Sequence, residues 1–394
     1  MLICVAGLRG MPGVAGGVEA HCEELLPRVR ARLPGVRIRV FTRSCYCHPP
    51  QPQRTYRGVE LAPVWALRNK HLEALLHTAA AIAFAKLQRA DIVHLHAIGP
   101  GLLAPLARAL GMAVVVTHHG ADYRRSKWGP LARMALQQGE RWALRFANRV
   151  IAVSASDAEE LRRRYPALAS NITHIPNGAP RLEQSASPDP GRSVLARFSL
   201  RPGEFVLSVG RLVPEKRFPD LIAAARAAGR TLVIAGEADH SGSYNARLLQ
   251  HSPDVLFTGR LSRGELVELY RGCAVFVLAS SHEGLPIAAL EALACGAPVL
   301  LSGIPAHREL GLPASRYFRC GDVDQLARLL QTPAEKDSAF DLTKYDWERI
   351  ADATAAVYLG SFAELRRDSK RAARRHNTAN PSARFGRAHW GRPR

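Results

Sequence analysis

The chain has 394 residues, of which 47% are hydrophobic, and its formal net charge is +20. This length exceeds that of a chain with one ordinary hydrophobic core, and the composition excludes a disordered chain. We therefore expect two globular domains. Seven cysteines, an odd number lying mostly in apolar segments, favour reduced thiols. No stretch approaches the roughly 20 apolar residues of a membrane-spanning helix, and no secretory signal is evident. We therefore expect a soluble, cytoplasmic protein.

The first predicted strand, 2–8, leads into a loop with glycines at 10, 13, 16 and 17. The helix that follows has apolar residues at spacings of three and four. A strand, a glycine-rich loop and a helix bring backbone amides close to a phosphate, although these glycines do not match the G-x-G-x-x-G dinucleotide pattern. We interpret the loop, with Gly16 and Gly17, as a nucleotide or phosphate loop, and a purely structural turn is the alternative.

The rest of the first half alternates strands with helices. Strands are predicted at 37–42, 91–97, 113–117 and 149–154, and helices at 71–88, 101–110 and 130–146. This alternation predicts a parallel sheet with helices on both faces, which binds ligands beyond the carboxyl ends of its strands. His94 and His96 alternate with apolar residues, which favours packing roles. His118 and His119 stand where a strand enters a loop; a histidine there either carries a proton or binds an oxygen, or it only caps the loop.

Residues 179–203 are rich in Pro, Ser, Gln and Arg and form a predicted linker. The pattern then repeats, with strands at 205–209, 232–235, 255–258, 274–278 and 298–301 and helices at 219–228, 262–271, 285–295 and 323–330. We therefore predict two doubly wound domains, 1–178 and 204–345, with the active site in the cleft between them. A helix at 346–365 and a tail at 366–394 complete the chain.

Two features of the second domain indicate anion binding. Arg211 and Lys216 flank a turn at the carboxyl end of a strand, where they would neutralise a diphosphate unless they are simply surface charges. The segment Ser280–Glu291 is a strand–loop–helix corner whose Pro286 suits a helix start and whose free amides would attract a phosphate. Its carboxylates, Glu283 and Glu291, accept hydrogen bonds from sugar hydroxyls; the alternative is a helix-end charge and a solvated glutamate.

Several motifs together resemble one family, over residues 2 to about 364. They are Glu283–Glu291, Val209–Leu212 with Lys216, Phe257–Leu261 followed by Leu266 and Tyr270, and Ile175–Gly178. In these the chain resembles nucleotide-sugar-dependent glycosyltransferases of the two-Rossmann-domain GT-B architecture, in the retaining family 4. Leu8–Pro12, Gly16–Glu19 and Asp122–Gly129 are similar to bacterial polysaccharide-assembly members, some of them rhamnosyltransferase-like. The sequence Glu237–His240 departs from the glycine-rich loop that the family often has there.

The resemblance implies a role for each matching position. Glu291 would hold the ribose, Glu283 the donor sugar, and Arg211 and Lys216 the diphosphate. Further donor contacts would come from Gly16, Gly17, Gly284 and Leu285 at the phosphates and from Arg260 and Leu261 at the base. His119 would lie near the donor sugar and the acceptor, with His118 as the alternative. The resemblance implies transfer with retention to an acceptor hydroxyl, and the crossing of the closing helix back to the first domain.

The resemblance implies no metal and no cofactor besides the nucleotide-diphosphate-sugar donor. The sequence agrees, since Asp322-Val323-Asp324 stands before a late helix and is predicted to cap it. The close pair Cys45 and Cys47 lacks a second pair at metal-ligand spacing. No carboxylate stands out as a covalent nucleophile, so we expect the acceptor hydroxyl to attack on the face that the phosphate leaves.

The tail, 366–394, holds ten Lys or Arg and one Asp, a net charge of 10 − 1 = +9. It is either disordered, or bound to nucleic acid, or bound to an anionic membrane surface, where each basic residue contributes about 1 kcal/mol. No nucleic-acid-binding motif accompanies it, so we expect a membrane face or a solvated tail and no specific nucleic acid. With the polysaccharide-assembly resemblance, this favours a saccharide or lipid-linked acceptor at the inner membrane face. A nicotinamide-dependent oxidoreductase and a nucleic-acid-binding protein are the alternatives.

Overall fold

The structure, a computed structural model, describes residues 1–46, 54–67, 72–125, 128–179, 193–237, 243–332 and 340–379, without the side chains of 243 and 372–379. Predicted features that lie at least partly outside these residues include Cys47, the start of the helix at 71–88, residues 126–127 of the segment Asp122–Gly129, the linker residues 180–192, the loop residues 238–240 and the tail residues 380–394. Among the described residues, no helix is long and apolar enough to cross a bilayer. The six cysteines described are all free thiols.

The first domain is built on an eight-stranded sheet with the order β3-β4-β2-β1-β5-β6-β7-β8. Its strands are β1 (Leu2–Ala6), β2 (Arg37–Arg43), β3 (Thr55–Tyr56), β4 (Val59–Val64), β5 (Ile92–His96), β6 (Ala113–His118), β7 (Arg149–Ala152) and β8 (Ile172–His174). All neighbours pair in parallel except β3 and β4, which form an edge hairpin. The hairpin was not predicted because β3 has only two residues, neither of them buried, and the exposed Pro63 breaks the alternation of buried residues in β4.

Helices cover both faces of this sheet. They are α1 (Gly17–Arg32), α2 (Glu73–Leu87), α3 (Ile98–Gly101), α4 (Ala104–Ala109), α5 (Pro130–Phe146) and α6 (Ala155–Arg164). Helices α2, α4, α5 and α6 pack their apolar residues into one core cluster, and α1 packs into a second cluster on the opposite face. Because alternate strand residues belong to the two clusters, the sheet is buried on both faces, as a parallel sheet requires.

The second domain has a six-stranded parallel sheet with the order β11-β10-β9-β12-β13-β14. The strands are β9 (Phe205–Val209), β10 (Thr231–Ala235), β11 (Leu256–Gly259), β12 (Val275–Leu278), β13 (Val299–Ser302) and β14 (Tyr317–Phe318). Its helices are α7 (Val194–Arg197), α8 (Phe218–Ala227), α9 (Ser243–Gln250), α10 (Arg263–Gly272), α11 (Ile287–Ala294), α12 (Pro305–Arg308) and α13 (Val323–Gln331). Two α/β domains with parallel sheets are thus present, which confirms the predicted fold class.

The last helix, α14 (Trp347–Ala379), crosses back to the first domain. Its apolar residues, among them Trp347 and Tyr358, are buried in the core cluster that also contains α1. Ion pairs reinforce this packing, since Glu348 accepts hydrogen bonds from Arg28 at 3.0 Å and from Arg32 at 2.7 Å. The helix therefore fastens the chain's end to the domain in which the chain begins.

The predicted boundaries of the tail and of the linker are wrong. Helix α14 continues beyond 365 to Ala379, so the first half of the predicted tail is helical, because its Arg, Lys and Ala residues favour helix. The second half of the predicted linker belongs to the second domain. Ser193 caps α7, and Val194 is fully buried in the core of that domain. A composition rich in polar residues did not reveal these local contacts.

Candidate active site

A cavity of about 360 Å³ lies in the cleft between the domains, at the carboxyl ends of both sheets. Loops that follow β1, β6, β9, β10 and β12 line it. The structure brings all the predicted site residues to this one cavity: Gly16, Gly17, His119, Arg211, Lys216, Arg260, Leu261, Glu283, Gly284, Leu285 and Glu291. All of these residues therefore line the same cavity, while the role of each one stays a prediction.

The glycine-rich loop of the first domain enters the cavity just before α1. Gly16 caps this helix with a φ of 148°, and any side chain there would collide with the carboxylate of Glu19. Glu19 in turn accepts hydrogen bonds from the backbone and side chain of Arg9, at 3.0 and 3.2 Å. The loop needs glycine for its backbone shape, and the Arg9–Glu19 ion pair holds that shape.

A second helix start faces the same cavity from the second domain. Helix α11 begins at Ile287, two residues later than predicted, and Pro286 is its N-cap rather than its first helical residue. Gly284 and Leu285 come directly before it and line the cavity. Since the starts of α1 and α11 both lie at the cavity, the positive ends of two helix dipoles favour an anion there.

Lys216 and Glu283 form an ion pair at the cavity. Lys216 Nζ donates to Glu283 Oε1 at 2.6 Å, and Ser280 Oγ donates to the same oxygen at 2.7 Å. Burial alone would raise the pKa of Glu283, but Lys216, His307 and these hydrogen bonds together lower it to about 2. Glu283 is therefore ionised, and the lysine predicted for the diphosphate is oriented by the glutamate predicted for the sugar.

Glu291 lines the same cavity from α11. Burial raises its pKa, although Tyr270 donates a hydrogen bond from its hydroxyl to Glu291 Oε2 at 3.0 Å. Tyr270 is itself buried within the second-domain core. A carboxylate fixed in this way has one oxygen oriented by the protein and can accept further hydrogen bonds from the hydroxyls of a ligand.

The two neighbouring histidines at the end of β6 have different surroundings. His119 lines the cavity, and burial together with the nearby His21 lowers its pKa well below the usual value, so it is neutral. His118 is buried on the other side, with Nε2 3.4 Å from Glu140 Oε2. The geometry therefore favours His119 over His118 as the histidine of the cleft.

His96, for which we predicted packing, is fully buried but also supports the site. Its Nδ1 lies 3.0 Å from Nε2 of His119. The rings of His21, His96 and His119 bring one nitrogen each within 4.8 Å of one another, close enough to hold a metal ion. The hydrogen bonds of His21 with Asn177 and of His96 with His119 account for the arrangement equally well, so the cluster does not require a metal. His94 lies in the same strand, and its ring nitrogens form hydrogen bonds with the hydroxyls of Tyr358 at 2.6 Å and Thr117 at 2.7 Å.

Asn177 joins the two domains beneath the cavity. Its Nδ2 donates to the carbonyl oxygen of Leu285 at 2.7 Å, which leaves Oδ1 to accept from Nδ1 of His21 at 2.8 Å. The domains also approach closely at Gly284, where a Cβ atom would lie 2.5 Å from the carbonyl oxygen of His119. The sequence showed Asn177 only as part of a motif, because a contact across the cleft leaves no periodic signal.

Arg125 is a site residue that was not predicted from the sequence. Its guanidinium lies 2.8 Å from Asp122 and 3.3 Å from Glu215 of the other domain. Arg125 lines the main cavity and also a second cavity of about 220 Å³ on the first-domain side. Arg125 belongs to the segment Asp122–Gly129, whose similarity to polysaccharide-assembly members is its signal in the sequence.

The second cavity is lined by paired charges. Arg43 donates to Glu73 at 2.7 Å, and both side chains are largely buried; the Arg9–Glu19 pair lies at the same cavity. The two cavities share Gly17, Val18, His119, Arg125 and Arg211. A ligand in one cavity therefore meets a ligand in the other at His119 and the two arginines.

Two remaining predictions concern the Asp-x-Asp segment and the loop after β10. Asp322 caps α13, since its Oδ1 accepts a hydrogen bond from the amide of Gln325 at 2.9 Å, and it does not line the cavity. This confirms that the Asp-x-Asp segment is a helix cap. Gly236 and Glu237, at the loop that departs from the family pattern, do line the cavity.

Two α/β domains with a cleft at the carboxyl ends of both sheets define the GT-B architecture, and two helix starts at this cleft favour an anion. Residues 15–180 match the description Glycosyltransferase Family 4, and residues 198–342 match Glycosyl transferases group 1. The chain belongs to the family 4 glycosyltransferases, which use nucleotide-sugar donors. This confirms the predicted enzyme class, and the oxidoreductase alternative finds no support.

Curated relatives agree with this assignment. The chain is 30% identical over 297 residues to a glycogen synthase of Mycobacterium tuberculosis, with 69% of each chain covered. It is 30% identical over 368 residues to a D-inositol 3-phosphate glycosyltransferase of Frankia alni, with 82% of this chain and 87% of the relative covered.

Solved structures share the fold. Sucrose-phosphate synthase from Thermosynechococcus elongatus has a TM-score of 0.74 at 22% identity, with 92% of this chain and 99% of that chain covered. HepE from Anabaena, solved with UDP and glucose, has a TM-score of 0.66 at 18% identity, with 95% and 99% covered. At these identities the likeness concerns the fold alone.

Proposed function

We propose that this enzyme transfers a sugar from a nucleotide-diphosphate sugar to an acceptor hydroxyl with retention of configuration, in the assembly of a cell-surface polysaccharide or glycolipid. The observation that carries the proposal is the gathering of Arg211, the Lys216–Glu283 pair and the starts of α1 and α11 around one cavity. These groups are arranged for a diphosphate that gains negative charge as it leaves.

We assign the donor contacts as the family resemblance implies them. The diphosphate lies against Arg211, Lys216 and the helix starts, and the sugar against Glu283. Glu291 accepts hydrogen bonds from the ribose hydroxyls, while Arg260 and Leu261 contact the base. His119, being neutral, binds a sugar hydroxyl without adding charge beside the cations.

The chemical step needs no covalent enzyme intermediate. The acceptor oxygen bonds to the anomeric carbon on the face from which the phosphate departs, the bond from that carbon to the phosphate oxygen breaks, and the hydroxyl proton passes to the leaving phosphate. Glu283 stays bonded to Lys216 and Ser280, which supports an electrostatic role rather than a nucleophilic one. Arg211 and Lys216 supply the positive charge that a divalent metal would otherwise provide, so the proposed enzyme is metal-independent.

The acceptor lies in the second cavity, beside His119 and Arg125. The paired carboxylates of Glu19 and Glu73 accept hydrogen bonds from saccharide hydroxyls there. We place a lipid-linked acceptor at the inner face of an anionic membrane, because the last 29 residues carry a net charge of +9. The enzyme is then cytoplasmic and peripheral, and it binds no specific nucleic acid.

A screen of the purified chain against nucleotide sugars, read as release of the nucleotide, tests the proposed donor use. We expect release with one donor class, at a rate that chelators leave unchanged. Nuclear magnetic resonance of the product then determines the anomer, and an inverted product would contradict retention. Loss of activity on chelation that added metal restores would contradict the metal-independent mechanism.

A further inference from the structure

Large exposed apolar side chains are concentrated on one part of the first domain. Of the thirteen in the described residues, eleven lie between 65 and 146. The two others, Leu249 and Leu359, lie on α9 and on α14. Scattered exposed apolar residues are normal, but a concentration of this kind indicates an interaction surface.

Helix α5 presents a stripe of such residues. They recur at spacings that return to the same side of the helix, at Leu131, Met134, Trp142 and Phe146. Leu131 is 79% exposed and Met134 63% exposed. The exposed charges of the helix are arginines, including Arg141 and Arg145. Its single acid, Glu140, is only 1% exposed and is bound to His118 and Arg164.

Helix α2 repeats this arrangement. Its exposed large apolar residues lie at or beside the helix, at Leu72, Leu76, Phe84 and Leu87. Lys86 and Arg89 are exposed at its end. Its single acid, Glu73, is buried against Arg43. On both helices, therefore, the exposed side combines apolar and basic residues and lacks an exposed carboxylate.

These two helices lie on the same side of the domain, and we call their exposed surface the α2/α5 face. Both pack into one core cluster, on the sheet face opposite to α1 and α14. The basic part of α14 begins at the rim of this face. Glu364 accepts from Asn148, just after α5, at 3.2 Å, and Asp368 lies 4.0 Å from Arg108 of α4. Exposed basic residues continue along α14 from this rim, at Arg366, Arg367, Lys370 and Arg371.

We infer that the α2/α5 face docks onto the surface of an anionic lipid bilayer. Leu, Met, Trp and Phe on one side of a helix that also carries arginines are typical of helices lying in a membrane interface. A second copy of the chain fits less well, since a two-fold interface would bring this basic face against its own copy, and neither helix has an exposed carboxylate to balance the charge. The inference rests on the proposed peripheral location and is independent of the sugar and the acceptor.

Vesicle binding by the full-length protein tests the inference. We expect co-sedimentation with phosphatidylcholine vesicles that contain phosphatidylglycerol, and weaker binding without it. Leu131→Glu/Met134→Glu on α5 and Leu87→Glu on α2 should each weaken binding by about tenfold or more, because each places a carboxylate in the interface. Leu249→Glu, on α9 of the second domain, is the matched control and should leave binding unchanged.

Two further measurements separate the possible outcomes. Brominated lipids should quench wild-type fluorescence more than that of Trp142→Phe, since Trp142 lies on the face. Nucleotide release with a water-soluble acceptor should be the same in all variants, so a failure of glycosyl transfer is distinguishable from a failure of docking. Equal vesicle binding by wild type and both face variants overturns the inference. So does a wild-type dimer that Leu131→Glu/Met134→Glu converts to a monomer without changing vesicle binding.

Discussion

Lys216 donates to Glu283 across 2.6 Å at the wall of the interdomain cavity, and the two residues come from different crossovers of the second domain. The pair is largely shielded from water, so each charge stabilises the other. Ser280 donates to the same carboxylate oxygen. The cation that faces a diphosphate is thus oriented before any ligand arrives, which is the condition for electrostatic stabilisation of a leaving group.

Glu283→Gln should separate diphosphate binding from sugar transfer. Removing the negative charge leaves Lys216 free to attract a diphosphate, so affinity for the nucleoside diphosphate should hold or rise. Transfer should fall by about 10²-fold, because both the orientation of Lys216 and the sugar contact are lost. Calorimetry measures the affinity for the nucleoside diphosphate, and nucleotide release measures the rate of transfer. Glu237→Gln, an exposed carboxylate at the same cavity, is the control; an equal loss there would contradict a specific role for Glu283.

Glu291→Gln should weaken binding of the nucleoside diphosphate by about 1.5–3 kcal/mol, the usual contribution of a hydrogen bond to a charged group. Tyr270→Phe removes the hydroxyl that orients Glu291 and should cost less, about 1 kcal/mol. Calorimetry with a nucleotide that lacks the ribose 2′ and 3′ hydroxyls is the control. Wild type and Glu291→Gln should bind that analogue equally, and a difference between them would indicate that Glu291 contacts another part of the donor.

Gly284→Ala should hold the cleft open. The added Cβ would lie 2.5 Å from the carbonyl oxygen of His119, and backbone on both sides prevents an easy adjustment. We expect a larger radius of gyration in small-angle scattering and a loss of transfer of about tenfold or more. Gly264→Ala, at a helical position where a Cβ meets nothing within 4 Å, is the matched control. A compact, active Gly284→Ala enzyme would show that the cleft closes differently.

His118→Gln should change how stability depends on pH. Burial alone would lower the pKa of His118, but Glu140 and Asp157 raise it above 6.5 in the folded chain. The charged histidine therefore stabilises the fold fully below the unfolded pKa of about 6.5, and this stability is lost as the pH rises through the raised folded value. Thermal unfolding should show a wild-type advantage over His118→Gln that shrinks from pH 6 upward. An advantage that grows with pH would contradict the assigned charge.

The order of strands and helices could be predicted because burial on both faces of a parallel sheet leaves continuous apolar strands between amphipathic helices. Helix α5 and strand β9 lie where the pattern predicts them. The edge hairpin β3–β4 and the helical continuation of α14 could not be predicted in this way. Strand β3 has only two residues, neither of them buried, and residues 366–379 contain no large apolar residue that would produce a helical stripe.

The site likewise has features that could be predicted from the sequence and features that could not. Local chemistry in the sequence determined the glycine loop, the two cations after β9 and the two glutamates around the start of α11, because phosphate and sugar binding need these residue types at short spacing. Only the tertiary structure decided three contacts. Lys216 donates a hydrogen bond to Glu283, and Asn177 donates one to Leu285. Arg125 forms an ion pair with Glu215. Each of these contacts joins residues at least 67 positions apart. Such distances in the chain are closed by the packing of sheets and domains, which no local pattern records.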